Sequence, residues 1–284
     1  MEIYRIKLLR KFFLPLLRVF NPGNITIKHH WVPEKRVFLH SFRHKGYWYH
    51  GRDRENDTMK IFNMLIDKGD TIIEVGGHIG YISLYFSELV GGSGRVYVFE
   101  PGINNLPYIR KNVKNEKNIM LVEKAVGNCN GQATFYIENL SGQNNSLVKG
   151  FDTFYRNRDN AFVKETYSES VVDIIKLDNF IDKENIEPNF IKIDIEGAEF
   201  DAIKGMLSYL RKYKPMLMVE VTKNNMEVYN IITDIGYIAF DPQFKVIRNG
   251  HDLSDNAFFL HPAIHLVKLE KMGVDIDKRD FHTN

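Results

Sequence analysis

From Asp57 onward, two hydrophobic periods alternate along the chain. Thr71–Val75, Arg95–Phe99, Ile119–Lys124 and Phe190–Asp194 are short apolar runs of the kind that form strands covered on both faces. Between them, Asp57–Ile66, Ile79–Leu89, Ile103–Asn115 and Glu199–Leu210 space their apolar residues three and four apart, which predicts amphipathic helices. The alternation continues with a strand within Tyr213–Thr222 that contains MLMVEV, a helix over Asn224–Ile235 and a strand over Gly236–Asp241. Val246–His251 and Asn256–Leu260 read as a closing hairpin. Strands and helices in this order predict an α/β fold, a parallel sheet with helices on both faces, whose ligands bind beyond the carboxyl ends of the strands.

Three stretches depart from this pattern. Asn24–Tyr49 reads as two or three short strands, ITIKHHW, RVFLHSF and GYWYH, forming a small N-terminal β-rich segment. Both tryptophans lie there, with His29, His30, His40 and His44, and His50 ends the last run. Packing explains these rings better than sugar stacking, and the histidines lack metal-ligand spacing. Gln132–Glu138 alternates as a surface strand and leads into a long polar stretch, Asn139–Ser170, with a short helix near Phe151–Arg158. Loops of that length are often functional lids, so Asn145, Ser146 and Tyr155 are candidate acceptor contacts. Leu266–Asn284 is a charged tail. The expected division is 1–20, 21–56, 57–262 and 263–284.

The chemistry begins at Thr71–Tyr85, TIIEVGGHIGYISLY, an apolar strand followed by an acid, a glycine-rich turn and an apolar helix. A dinucleotide turn has three glycines as G-x-G-x-x-G. Here Glu74, Gly76 and Gly80 give an acid, one residue, Gly, three residues, Gly, which is the pattern of S-adenosylmethionine-binding turns. That cofactor carries an ammonium and a sulfonium and no phosphate, so an acid beside the turn suits it. The next strand ends in Glu100, 24 residues after Gly76, where a carboxylate can accept both ribose hydroxyls. The adenine is expected past the third strand, near Ala125 and Val126. Asp194 and Glu196 come at the end of the fourth strand, with Glu220 at the end of the fifth. One acid can hold the ammonium and another can take a hydroxyl proton, with Asp194 cast in the first role and Glu196 in the second. The roles are exchangeable. Glu199 reads as a stabiliser of the helix that follows. Glu220 is a reserve acid for the acceptor or a divalent ion, although no dedicated metal-site spacing is visible.

These residues resemble the FkbM family of S-adenosylmethionine-dependent methyltransferases over Asp57–Pro262. The likeness rests on EVGGHIGYISL, VFEP, KAVGNCNGQATFYI, VDIIKLDNFI, FIKIDIEGAEFDAIKG, a strand ending in Glu220, and NAFFLHP. Glu74 stands where Asp is usual, and Gly77-His78 where Ala-Asn is usual. The latter change places a titratable ring near the cofactor's methionine end. The resemblance implies a Rossmann-like class I methyltransferase sheet in which Glu74, Gly76, Gly77, His78, Gly80, Tyr81, Glu100, Pro101, Ala125, Val126 and Asp194 hold the cofactor. It also implies methyl transfer to a hydroxyl of a sugar or of a glycosylated or polyketide-type metabolite. A nicotinamide-dependent dehydrogenase would share the sheet, but GGxxG disfavours it. A non-catalytic carbohydrate-binding protein on a relic fold would have little reason to keep Glu74, Glu100 and Asp194 together.

Composition fits a cytoplasmic enzyme. The lone Cys129 excludes an intramolecular disulfide framework. The net charge of +2 conceals an asymmetry, because residues 1–60 carry 13 Lys and Arg against 5 Asp and Glu. Within residues 1–20, Arg5, Lys7, Arg10, Lys11 and Arg18 alternate with Ile3, Ile6, Leu9, Phe13, Leu16 and Leu17. Such a helix can lie in an anionic membrane interface or pack on the protein or a second subunit, so a homo-oligomer stays open. Its longest charge-free run, Phe12–Leu17, is far short of the roughly 20 residues that span a bilayer. No nucleic-acid partner is expected.

Overall fold

The structure is a computed structural model that describes residues 22–138, 140–149, 167–221, 225–249, 253 and 256–276. Strands β1 (Asn24–Lys28) and β2 (Arg36–His40) pair antiparallel. After them come helices α1 (Lys45–Tyr49) and α2 (Asn56–Leu65). The central sheet then takes β3 (Thr71–Val75), β4 (Arg95–Phe99), β5 (Ile119–Val122), β9 (Phe190–Ile193), β10 (Met216–Glu220), β11 (Ile238–Phe240) and β12 (Asn256–Leu260) in the order β11-β12-β10-β9-β3-β4-β5. Neighbours from β10 to β5 run parallel, and β12 is antiparallel to both β10 and β11.

The period-two alternation of the strands divides the core between the two faces. Ile72, Val96, Val98, Phe190, Met216 and Met218 point to one face, under α2, α3 (Tyr81–Val90) and α4 (Leu106–Val113). Ile73, Tyr97, Phe99, Ile191, Ile193, Leu217 and Val219 point to the other, under α5 (Leu177–Glu184), α6 (Glu199–Lys204), α7 (Leu207–Tyr213) and α8 (Met226–Thr233). Both faces are buried, which is why the strands read as apolar runs. The β1–β2 hairpin joins the first face through Val37 and Leu39, and Asn112 fixes it there by bonding the backbone N–H and C=O of Phe38.

Several sequence expectations are corrected. GYWYH is no third strand, since Lys45–Tyr49 is a helical turn that buries Tyr47 and exposes Tyr49. Glu199–Leu210 is broken at Gly205-Met206, where a Cβ on Gly205 would overlap the Gly127 carbonyl. Among the described residues, Val246 makes an isolated bridge to Phe240 and β12 pairs with β10 on one side and β11 on the other, so β12 is not the partner of a strand at Val246. The polar stretch ends earlier than Ser170. Tyr167–Ile175 is a nine-residue strand, β8, pairing with β7 (Gly131–Glu138), and β6 (Ala125–Val126) completes a three-stranded side sheet. Tyr155, residues 1–20, the helix near Phe151–Arg158 and the end of the tail lie outside the described residues.

Candidate functional site

The carboxyl ends of β5, β4, β3, β9 and β10 open onto a cavity of about 320 Å³, within the roughly 300–1,000 Å³ of small-molecule sites. The sheet orders the candidate residues along this edge. Ala125 and Val126 follow β5, Glu100 follows β4, the glycine turn follows β3, Asp194 and Glu196 follow β9, and Glu220 ends β10. Each step is one strand spacing, about 4.8 Å.

The turn is built around backbone that only glycine tolerates at Gly76, where φ is +91° and a Cβ would overlap the Asp194 carbonyl oxygen. Gly80, also at positive φ, caps α3 and shapes the turn without lining the cavity. His78 adopts φ +48° so that its N–H donates to Glu100 Oε2 at 2.7 Å. Glu100 Oε1 accepts from the Gly102 N–H at 2.8 Å and the Asn105 amide at 3.2 Å. Burial pushes the Glu100 carboxyl up to about 7, against those donors, which favour the carboxylate.

Glu74 lies beneath the turn, 1% exposed, accepting from Ser83 Oγ at 2.6 Å. Directly opposite it across β3 and β9 is Lys192, buried in an otherwise apolar run, whose Nζ donates to Asp194 Oδ2 at 3.1 Å. Burial works against the Lys192 ammonium, but Asp194 and Glu74 more than offset it and raise its pKa. Burial also lifts Glu74 to about 7. A lysine inside the apolar block FIKID was the signal for this buried pair, and sequence reasoning passed over it.

Asp194, Glu196 and Glu220 each place a carboxylate oxygen within 4.8 Å of the others, although they end two different strands. Their oxygens could face a single cation or share a proton. Glu196 takes φ +58°, a conformation costly for a non-glycine residue and often found at functional sites. Its Oε2 is buried with no hydrogen-bond partner among the described residues. Burial and the nearby Asp194 raise the pKa of both Glu196 and Glu220 well above the ordinary carboxylate range. Glu199 lies in the first turn of α6, where an acid stabilises the helix, and it also accepts the N–H groups of Ile195 and Gly197 and so holds the loop that carries Glu196.

The wall over the turn comes from outside the sheet. Tyr47 OH donates to His78 Nδ1 at 2.9 Å, while His78 Nε2–H donates to the Ser141 carbonyl at 3.2 Å. Burial pushes the His78 ring down to about 4, so the ring near the turn is neutral at ordinary pH. Tyr81 lines the cavity, and its OH meets His30 Nδ1 at 3.1 Å. Pro101 also lines it. Arg54 and Glu55, just before α2, complete the wall; like Tyr47, they were missed because nothing local in the sequence ties them to the turn.

The polar groups of two candidate acceptor contacts are engaged within the protein. Asn145 accepts from the Glu138 N–H and donates to Asn104, and Ser146 Oγ donates to the Glu196 carbonyl. Asn145 lines the cavity, whereas Ser146 lies behind it and braces the Glu196 loop.

Among the described residues lining the cavity, six are acids (Glu55, Glu74, Glu100, Asp194, Glu196, Glu220) and three are Lys or Arg (Arg54, Lys124, Lys192). The excess of carboxylates, with the unpartnered Glu196 oxygen, fits a ligand bearing an ammonium and a sulfonium.

The family model described as the Methyltransferase FkbM domain matches residues 74–248. Among solved structures, the chain is similar to methyltransferase FkbM from Methylobacillus flagellatus KT at 19% identity and TM-score 0.45, covering 67% of this chain and 43% of that one. It is also similar to Aeropyrum pernix fibrillarin, solved with natively bound S-adenosyl-L-methionine, at 14% identity and TM-score 0.41, covering 84% and 88%. A methyltransferase from Aquifex aeolicus gives 13% identity and TM-score 0.39, covering 76% and 96%. The chain thus spans less than half the length of the Methylobacillus protein. No curated protein matches.

Proposed function

This chain belongs to the FkbM family of S-adenosylmethionine-dependent methyltransferases, and on that footing we propose that it methylates a hydroxyl of a sugar in glycan, polysaccharide or glycolipid biosynthesis. The observation that carries the oxygen acceptor is Glu196, a carboxyl with one buried, unpartnered oxygen beside two further acids on the cavity edge. The bound cofactor supplies a methyl carbon on a sulfonium that departs as a neutral thioether. In its ionised form Glu196 accepts the hydroxyl proton as the new carbon–oxygen bond forms, although burial and Asp194 favour its protonated form before the cofactor binds. Lys192 favours the ionised form of Glu196, as the cofactor's ammonium and sulfonium would. Glu100 orients the ribose and Asp194 faces the ammonium, while alignment of the reacting atoms contributes up to about 7–11 kcal/mol in well-oriented systems.

A polar cavity edge and the family resemblance support a sugar acceptor. The cationic and apolar residues 1–20 support action at an anionic membrane surface, on a lipid-linked or surface glycan. Among the described residues, no helix is long and apolar enough to cross a membrane.

The test is calorimetric titration with S-adenosylmethionine, S-adenosylhomocysteine and NAD, followed by mass spectrometry of candidate glycans for a one-methyl gain. Binding of the first two and not NAD, with an alkali-stable methyl ether on a sugar, is the expected result. Methylation of nitrogen or carbon would overturn the oxygen reading.

A further inference from the structure

We propose that Arg54, from the segment preceding the family domain, binds the carboxylate of the cofactor's amino-acid end. The inference rests on the cofactor assignment above and extends it to a residue outside 74–248.

The amino-acid end carries an ammonium and a carboxylate. The cavity offers the ammonium a choice of acids, but among the described residues lining it the carboxylate has only three cations. Lys192 is 2% exposed, lies opposite Glu74 and donates to Asp194. Lys124 lies beside Ala125 at the far end of the strand edge, 43% exposed and paired with Asp173 at 3.4 Å. That position belongs to the base and ribose, three strand spacings from β9.

Arg54 stands where the carboxylate is needed. Its guanidinium lies over the Tyr47 ring, 4.5 Å from the centroid, and Tyr47 in turn bonds His78 of the glycine turn. Asp194 and Tyr81 are near enough to favour its charge, as is Glu55. Gly46 gives the side chain room, since a Cβ there would sit 2.9 Å from Arg54 Nη1. The ion pair with Glu55 engages Nη2 at 3.2 Å, in a side chain 24% exposed. A guanidinium has five N–H donors in a planar fork that matches a carboxylate, so one such pair leaves capacity for another. Stacked on Tyr47 and flanked by Glu55, the fork is held at the methionine side of the turn before any ligand arrives.

The experiment compares two probes that differ only at that end. S-Adenosylhomocysteine carries the amino-acid group, and 5′-methylthioadenosine lacks it. Calorimetry on the full chain should show Arg54→Gln weakening S-adenosylhomocysteine by about 10- to 150-fold, the range for a charged hydrogen bond. Affinity for 5′-methylthioadenosine should stay within about twofold, since it makes no contact with Arg54. Arg54→Lys should recover part of the loss, because a point charge replaces the fork. Equal weakening of both probes would mean that Arg54 only shapes the wall, and unchanged S-adenosylhomocysteine affinity would mean it does not touch the cofactor; either overturns the proposal. If the wild-type protein binds neither probe, the cofactor assignment itself falls and takes this inference with it.

Discussion

Glu100→Gln tests whether the acid at the end of β4 binds the ribose or only secures the turn. The carboxylate accepts from His78 on one oxygen and from Gly102 and Asn105 on the other. Glutamine has a single acceptor oxygen. With that oxygen facing Gly102 and Asn105, its NH₂ meets the His78 N–H, donor against donor. Losing a charge-assisted bond costs about 1.5–3 kcal/mol, and an unsatisfied buried donor about 1–3 kcal/mol. The two overlap, so the net cost is about 3 kcal/mol. At about 2.1 cal/mol/K per residue, 284 residues unfold with an entropy near 0.6 kcal/mol/K, and Tm should fall by about 5 °C. If the ribose hydroxyls also donate to this carboxylate, S-adenosylhomocysteine affinity should fall by a further 1.5–3 kcal/mol or so, about 10- to 150-fold. The pH dependence gives a second readout. Hydroxyl donors favour the ionised form of a group that burial holds at about 7, so wild-type affinity should rise from about pH 6 to 8 and the variant's should not. Thermal melts and calorimetry at both pH values measure these effects. A lowered Tm with unchanged affinity and an unchanged pH profile would confine Glu100 to holding the turn and refute the ribose assignment.

Glu196→Gln should reduce kcat by about 10²-fold or more while S-adenosylhomocysteine affinity moves less than about threefold; full activity would transfer the base role to Asp194 or Glu220. Gly76→Ala forces a Cβ onto the Asp194 carbonyl at a left-handed φ, so it should cost at least about 2 kcal/mol in chemical denaturation, and a neutral effect would contradict the turn geometry. The Glu220 carboxyl is raised in the folded protein, so the stability it contributes is present below the ordinary carboxylate range and lost as pH rises through the raised value. Ligand-free Glu220→Gln should therefore melt above wild type at about pH 8 and level with it at about pH 4; the reverse order would show that the acid is stabilised as an anion. Deleting residues 1–20 should abolish sedimentation with anionic vesicles, and binding of the full chain should weaken with salt over the roughly 10 Å screening length at 0.1 M; indifference of the full chain to vesicles would end the membrane reading.

Local pattern determined much of this protein. Apolar runs buried on two faces marked β3, β4 and β9, and the acid–glycine spacing of Glu74–Gly80 placed the turn between the first strand and its helix. Glu100, Asp194 and Glu220 could be assigned to one edge because parallel strands deliver their carboxyl ends to the same side. What tertiary structure decided were the contacts between segments that no local period connects. Tyr167–Ile175 had no legible strand signal because its partner is β7, reached only after residues outside the described set, and its outward side mixes Glu169 and Asp173 with the exposed Val171, which blurs the alternation. The helical turn at Lys45–Tyr49 forms because Tyr47 is buried against the glycine turn, a contact 31 residues away in sequence. The convergence of Asp194, Glu196 and Glu220, the Glu74–Lys192 pairing and the entry of Arg54 into the wall all depend on how separate strands and loops are brought side by side. Sequence spacing records which residues can reach a strand end; only packing fixes which of them meet there, and so which charges must be buried together.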